Sequence, residues 1–254
     1  MIEIVAVVNQ KGGVGKTTTC VNLASCLGKT KRNVLLIDMD PQSNATKGSG
    51  INFQELDVTA NDVLLNNVHI DECTINLDDY KYSLLPASPM LTQAEVELLN
   101  TNDKEFVLSK IIKQSSDKYD YVLIDCPPSL NILTVNALVA CTSVLIPVQC
   151  EFYALQGLSE LNKTIEQIKK SANSNIEIKG ILRTMFDSRN NLADDVSSQL
   201  MKFFKNKVFK TIIPRNIRLA EAPSHGMPIL NYDSSSKGAF SYLSLAGEII
   251  KLEK

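Results

Sequence analysis

No stretch of the 254-residue chain approaches the roughly 18 to 20 consecutive apolar residues of a membrane span. The most apolar segment, 133–148, is broken by Asn136, Thr142, Ser143 and Pro147. No basic run precedes the first apolar stretch, Ile2 to Val8, which leads directly into Gln10-Lys11-Gly12-Gly13, so a secretory leader is not expected. Net charge is nearly absent: 26 Lys and Arg against 28 Asp and Glu leave −2. A bulk polycation is excluded, and any nucleic-acid contact must come from a local patch. The six cysteines include no C-x-x-C pair, and most lie inside apolar segments, which points to small buried thiols in a reducing cytoplasm. His69 and His225 are the only histidines. Neither has a second ligand nearby in sequence or a Ser/His/Asp context, so neither is assigned a catalytic role. Repeats, low-complexity tracts and long linkers are also missing.

What is present is an ordinary globular balance, 44% apolar and 21% charged. Strands are expected at 2–8, 33–38, 82–86, 121–125, 143–148, 176–183 and 208–213. Several are continuous apolar runs, as in strands buried on both faces of a parallel sheet. Helical periodicity predicts helices at 18–27, 90–99, 106–113, 133–140, 155–170, 196–204 and 238–252. The alternation predicts an α/β fold, a doubly wound, mostly parallel sheet flanked by helices, in one domain spanning 1–254. The polar stretch 71–79 reads as a surface loop.

The strongest local signal is Asn9-Gln10-Lys11-Gly12-Gly13-Val14-Gly15-Lys16-Thr17-Thr18, between an apolar strand and a helix. Glycines let successive N–H groups turn inward around an anion, and the helix aims its positive dipole end at the same point. Lys16 can reach β- and γ-phosphates and the Thr17 hydroxyl can ligate Mg²⁺. The loop departs from G-x-x-x-x-G-K-[ST], because Gln10 stands where the first glycine should be. It carries instead a second lysine, Lys11. Phosphates cradled within one subunit do not need it, which suggests a cation delivered to the γ-phosphate of another chain.

Val34-Leu35-Leu36-Ile37-Asp38-Met39-Asp40 is an apolar strand ending in two aspartates, and Tyr121-Val122-Leu123-Ile124-Asp125 is a second strand ending in one. In open α/β sheets the carboxyl edge is the ligand crevice. Asp125 has the form of a Walker B carboxylate that holds Mg²⁺ directly or through water, and one aspartate of the pair is a candidate to orient the attacking water.

Lys11-Gly12-Gly13-Val14-Gly15-Lys16-Thr17 resembles the deviant Walker A loop of the ParA/MinD ATPases. Asp38-Met39-Asp40-Pro41-Gln42-Ser43-Asn44-Ala45-Thr46, Asp125-Cys126-Pro127-Pro128-Ser129-Leu130, 147–155 and 213–226 continue the resemblance over nearly the whole chain. It lies nearest the short chromosomal ParA proteins known as Soj. The resemblance implies a P-loop ATPase that uses ATP and Mg²⁺ and forms a nucleotide-sandwich homodimer. The loop from Lys11 to Thr18 would bind the nucleotide, with Lys11 reaching across to the partner's. Thr17, Asp40 and Asp125 would serve the metal, Asp40 would also position the water, and Asp38 would support them. Met185, Pro214 and Asn216 fall where the family contacts adenine. Arg189 and Arg218 match positions implicated in DNA contact. Such proteins are cytoplasmic and nucleoid-associated. They bind duplex DNA without sequence preference when ATP-bound, and are stimulated and released by a ParB partner.

From Arg183 to Arg218, eight basic residues face three acidic ones, a local +5 on a chain of −2. That is the footprint of phosphate-backbone binding. No helix-turn-helix extension precedes the first strand, so operator recognition is not expected. A MinD-like membrane ATPase shares the loop but would need a basic amphipathic C-terminal helix. Here Glu248 and Glu253 balance Lys251 and Lys254, and the segment reads as a core-packing helix.

Overall fold

The computed structural model describes residues 2–253. Eight strands form one sheet: β1 (Glu3–Val7), β2 (Val34–Asp38), β3 (Ile75–Leu77), β4 (Tyr82–Leu85), β5 (Tyr121–Asp125), β6 (Ser143–Gln149), β7 (Glu177–Phe186) and β8 (Val208–Pro214). The order is β3-β4-β2-β5-β1-β6-β7-β8, parallel throughout except for the β3–β4 pair. Among the described residues twelve α-helical segments accompany it: α1 (Lys16–Lys29), α2 (Asn44–Gly48), α3 (Ala60–Leu65), α4 (Ile70–Cys73), α5 (Leu91–Leu98), α6 (Val107–Lys113), α7 (Ile132–Ala140), α8 (Ala154–Ser171), α9 (Asn191–Phe204), α10 (Ile217–Glu221), α11 (Ile229–Tyr232) and α12 (Lys237–Ile250).

All seven expected strands and all seven expected helices form, with ends shifted by a few residues at most sites. The stretch 71–79 departs from expectation. It is not a plain loop, because α4 and the antiparallel edge strand β3 occupy it. Its three strand residues pair with β4 while their side chains stay partly or fully exposed, so no apolar run marks them.

The central strands are apolar on both faces because both faces are covered. Val5 and Val7 of β1 pack with α1, α11 and α12, while Ala6 packs with the layer built from α3 to α9. Each β residue thus alternates between two cores, as the period of 2 requires. In α8, Leu158, Leu161 and Ile165 form the buried stripe of an otherwise polar helix. The C-terminal helix α12 buries Gly238, Ala239, Tyr242, Leu245, Ala246 and Ile249 against α1 and β8, as its sequence suggested. All six cysteines are buried and unpaired. Among the described residues no helix is long and apolar enough to cross a membrane.

This order sets the site. β1 lies between β5 and β6, and the chain departs to one side through β2 and to the other through β6. The carboxyl edge beside β1 is therefore a topological switch point, where a crevice opens. Register places Asp38 directly beside Asp125, and Asp125 beside Val7, where the glycine loop begins.

Candidate nucleotide site

The loop between β1 and α1 is held in shape by the chain itself. The Asn9 amide donates to the Pro147 carbonyl at 2.7 Å, and its side-chain oxygen accepts from Lys11 N–H at 3.0 Å. Thr184 Oγ1 donates to the Val14 carbonyl at 2.8 Å from the end of β7. Gly13 and Gly15 adopt φ of 72° and 88°, a left-handed backbone that other residues avoid. Gly15 caps α1 and has no side chain to satisfy the first-turn N–H groups. Those donors stay available to an anion, which the helix dipole also favours. Gly12 differs: a Cβ there would meet nothing within 4 Å, so this chain alone does not require glycine at that position.

Lys16 is only 7% exposed, and its ammonium reaches the Lys11 carbonyl at 3.3 Å. Burial lowers its pKa, opposed by the charges of Asp125 and Asp40. Asp38 and Asp125 are fully buried side by side. Burial pushes both carboxyls above the usual range, and for Asp125 the neighbouring Asp38 adds to the effect. Asp125 Oδ1 accepts from the Cys20 thiol at 3.5 Å, whereas Oδ2 is buried with no partner. An orphaned carboxylate oxygen beside Thr17 and an anion-binding loop fits a divalent cation, whose charge would return the carboxyl to its ionised form. Asp40 is 7% exposed and faces the cavity; its Oδ1 accepts from Gln42 N–H at 2.9 Å.

The cavity measures about 510 Å³. Gly12, Gly13, Gly15, Lys16, Thr17, Thr18 and Asp40 line one part, and Met185, Pro214 and Asn216 line it too. Most of the sequence-predicted phosphate residues and all three predicted base residues therefore share one chamber. Asn216 uses its side-chain oxygen to cap α10, accepting from Leu219 N–H at 3.1 Å, which turns its remaining amide capacity to other partners. Met185 holds a left-handed φ of 47°, strained for a residue with a side chain, where the β7–β8 register shifts. A larger cleft of about 690 Å³ lies at the opposite, amino edge of β2 and β4 and contains none of the motif residues.

Some expected residues lie outside this chamber. Val14 is buried behind the loop and contributes its carbonyl to Thr184. Lys11 does not line the cavity; its ammonium is ion-paired with Glu151, just beyond β6. Both side chains are 45% exposed, and exposed pairs contribute about 0–1 kcal/mol, so little opposes the release of Lys11. Residues that sequence reasoning missed are Asn9, Thr184, Gln42, Asn44 and Tyr242. The last lines the cavity and meets Thr19 Oγ1 at 3.2 Å. Asn9 adjoins the glycine loop, and Gln42 and Asn44 lie in the quoted Asp38–Thr46 motif, which was the only available signal for any of them.

The basic segment needs a correction. Arg183 is 6% exposed and donates to Ser197 Oγ and the Phe209 carbonyl, both at 2.9 Å, so it packs α9 against β8 and leaves the surface patch. Lys202, Lys205, Lys210 and Arg215 are exposed. Arg189 and Arg218 are exposed as well, but each is held by carboxylates. Arg189 makes a two-pronged contact with Asp187 at 2.9 and 2.7 Å. Arg218 meets Glu221 at 2.9 Å and Asp233 at 3.4 Å.

Known proteins resemble this chain over most of its length. Residues 2–178 match a family described as an AAA domain. The chain is 50% identical to the chromosome partitioning protein ParA of Myxococcus xanthus, covering 98% of this chain and 88% of that one. It is 46% identical to the chromosome-partitioning ATPase Soj of Treponema pallidum, covering 96% and 95%. Among solved structures, cobyrinic acid a,c-diamide synthase from Mycobacterium smegmatis, bound to an ATP analogue and magnesium, superposes with a TM-score of 0.87. It has 33% identity, over 99% of this chain and 95% of that chain.

Proposed function

On the premise that the chain belongs to the ParA/Soj family of P-loop ATPases, with ATP and Mg²⁺ as cofactors, we propose that it is a DNA-partitioning switch. In this reading ATP joins two copies of a single 1–254 ATPase domain face to face. The dimer binds duplex DNA without sequence preference, and a ParB-type partner stimulates hydrolysis and releases it. It would work in the cytoplasm on the nucleoid, moving replicated chromosome or plasmid origins apart.

The observation that carries the reading is the split between the two loop lysines. Lys16 is buried inside the phosphate chamber, whereas Lys11, on the same loop, stands outside it on a weak exposed ion pair. A cation so placed suits a neighbour's triphosphate better than its own. The rim supports this, because Leu130, Phe152, Tyr153 and Ile217, each just past a strand's carboxyl end, are 43 to 75% exposed. Exposed apolar side chains on the carboxyl edge of the sheet, the edge that carries the crevice, favour burial against a partner. The charge-balanced α12 packs on α1 and β8 and, although Phe240 and Leu243 are exposed on it, carries no basic face for anionic lipid, which disfavours a MinD-like membrane role.

In the mechanism, the glycine loop and α1 terminus bind the phosphates and Lys16 neutralises them. Thr17, Asp40 and Asp125 would hold Mg²⁺, which polarises the terminal phosphate when bound. Asp40 orients the attacking water within the chamber, Asp38 supports Asp40, and Lys11 of one copy stabilises charge on the other's γ-phosphate. Met185, Pro214 and Asn216 hold the base.

The deciding experiment measures duplex DNA binding and sedimentation mass in ATP, in ADP and without nucleotide, at two salt concentrations. The reading expects dimerisation and DNA binding with ATP only. Equal DNA affinity without nucleotide, or a monomer with bound ATP, overturns it. Lys11→Ala is expected to leave ATP binding by a single copy within about threefold while the ATP dimer and stimulated turnover are lost, since the lysine lies outside its own chamber. Arg218→Ala is expected to weaken binding to all sequences alike and lower the salt slope by about one per lost phosphate contact. Competition from Glu221 and Asp233 makes the loss in affinity smaller than an unpaired arginine would give.

A further inference from the structure

We infer that Thr46 is a positioning residue for hydrolysis, its hydroxyl setting the turn that aims Asp40 into the chamber. The inference rests on the proposed role of Asp40 and concerns a residue outside the cavity lining.

Asp38 and Thr46 are both fully buried. Asp38 Oδ2 accepts from Thr46 N–H at 2.8 Å and from Thr46 Oγ1 at 2.7 Å. Asp38 Oδ1 accepts from the backbone N–H of Asp40 at 3.1 Å. Both carboxylate oxygens are therefore committed to the chain, and Asp38 acts on its surroundings only through what it holds. The Thr46 hydroxyl spends its proton on Asp38 and accepts from Ala87 N–H at 2.9 Å with its lone pair. One oxygen thus joins three segments: the exit of β2, the short helix α2, and the exit of β4.

The geometry beyond this node leads directly to Asp40. Asp40 accepts from Gln42 N–H on its side chain and from Ser43 N–H, at 2.8 Å, on its carbonyl, and Ser43 sits at a left-handed φ of 56°. The turn from Asp38 to Ser43 is thus bracketed by the Asp38 carboxylate at one end and α2 at the other. Only a group that both donates and accepts can occupy the Thr46 position without leaving the buried Ala87 N–H unpaired and Asp38 Oδ2 with one donor, the backbone N–H of residue 46, in place of two, which is costly. Valine has the same shape and neither capacity. The strand exits would shift to recover partners, and a displacement on the order of 1 Å at a catalytic group lowers rate by about a hundredfold. Serine keeps the hydroxyl and loses only a methyl.

The test uses the full chain with Mg²⁺–ATP and measures ATP dissociation constants and single-turnover hydrolysis for Thr46→Val, Thr46→Ser and Asp40→Ala. Thr46→Val is expected to hydrolyse at least about tenfold more slowly with ATP affinity within about threefold of the parent, and Thr46→Ser to retain the parent rate within about threefold. If Thr46→Val does not fold, Thr46→Ala takes its place with the same expectation. A hydroxyl-free variant that hydrolyses at the parent rate while Asp40→Ala is inactive overturns the role of Thr46 alone. An ATP affinity that falls in parallel with rate, or a serine variant as slow as the valine one, also overturns it, because the residue then serves general structure. An active Asp40→Ala protein instead removes the reading on which the inference stands.

Discussion

Lys16→Gln is expected to weaken ATP binding by on the order of a hundredfold and to abolish productive hydrolysis. The ammonium is the charge that the chamber buries against Asp125 and Asp40. Glutamine keeps the length and some hydrogen-bonding capacity but removes the positive charge, leaving a triphosphate to face Asp40 in the cavity wall with Asp125 buried behind it. Hydrogen bonds to charged groups contribute about 1.5–3 kcal/mol, and each 1.4 kcal/mol is tenfold in affinity. Lys16 stands to serve two phosphates, so a hundredfold loss is a moderate expectation. The free protein should not suffer correspondingly. Burial outweighs the attraction of Asp125 and Asp40 in lowering the Lys16 pKa, so removing the cation is expected to leave the ligand-free melting temperature little changed. The combined signature is a normal melt without ligand and no upward shift with Mg²⁺–ATP. Calorimetric ATP affinity within threefold of the parent would refute the assignment.

The basis for that prediction was legible before any fold was known, because the loop glycines and Lys16 are local. Their chemistry depends on neighbours in sequence between a strand and a helix. The strands were legible for the same reason: β2 and β5 are five-residue runs buried along their whole length, and each ends on its aspartate. What sequence could not express was pairing. Nothing in the chain order says that Asp38 and Asp125 stand side by side; the β2–β5 register does. Thr184 bonds the phosphate loop from 170 positions away, and Tyr242 meets Thr19 across 223. β3 escaped notice because an exposed edge strand of three residues has no apolar alternation to betray it. Arg183 misled for a related reason. Composition counts a cation as surface, but on a strand covered by α9 it turns inward, and backbone carbonyls and Ser197 solvate it there. Local chemistry was readable; the face a residue presents was set by tertiary partners.

Asp40→Ala is expected to separate binding from hydrolysis in the direction opposite to Lys16→Gln. Asp40 reaches the cavity at the end of the β2 turn, with one carboxylate oxygen engaged by Gln42 N–H. Its other oxygen has no hydrogen-bond donor among the described residues and is free to hold a water or a metal-bound water. A group that positions or deprotonates the nucleophile contributes about 10²–10⁴ in rate, so hydrolysis should fall by at least a hundredfold. Binding should not fall with it. Alanine removes one negative charge from a site that receives a triphosphate, and the remaining carboxylates, Asp38 and Asp125, stay buried behind the loop with their neighbours intact. ATP affinity is therefore expected to hold or tighten. The ATP dimer of the proposed function should then accumulate instead of turning over, and DNA binding should persist after ATP addition for as long as the nucleotide survives. Alanine also leaves the Asp40 N–H in place for Asp38 Oδ1, so the turn keeps its anchor and the melting temperature should change little. Single-turnover hydrolysis, ATP affinity and sedimentation mass measured on one preparation decide the matter. Retained turnover assigns the water to another group, and lost ATP affinity makes Asp40 a binding residue instead of a hydrolytic one.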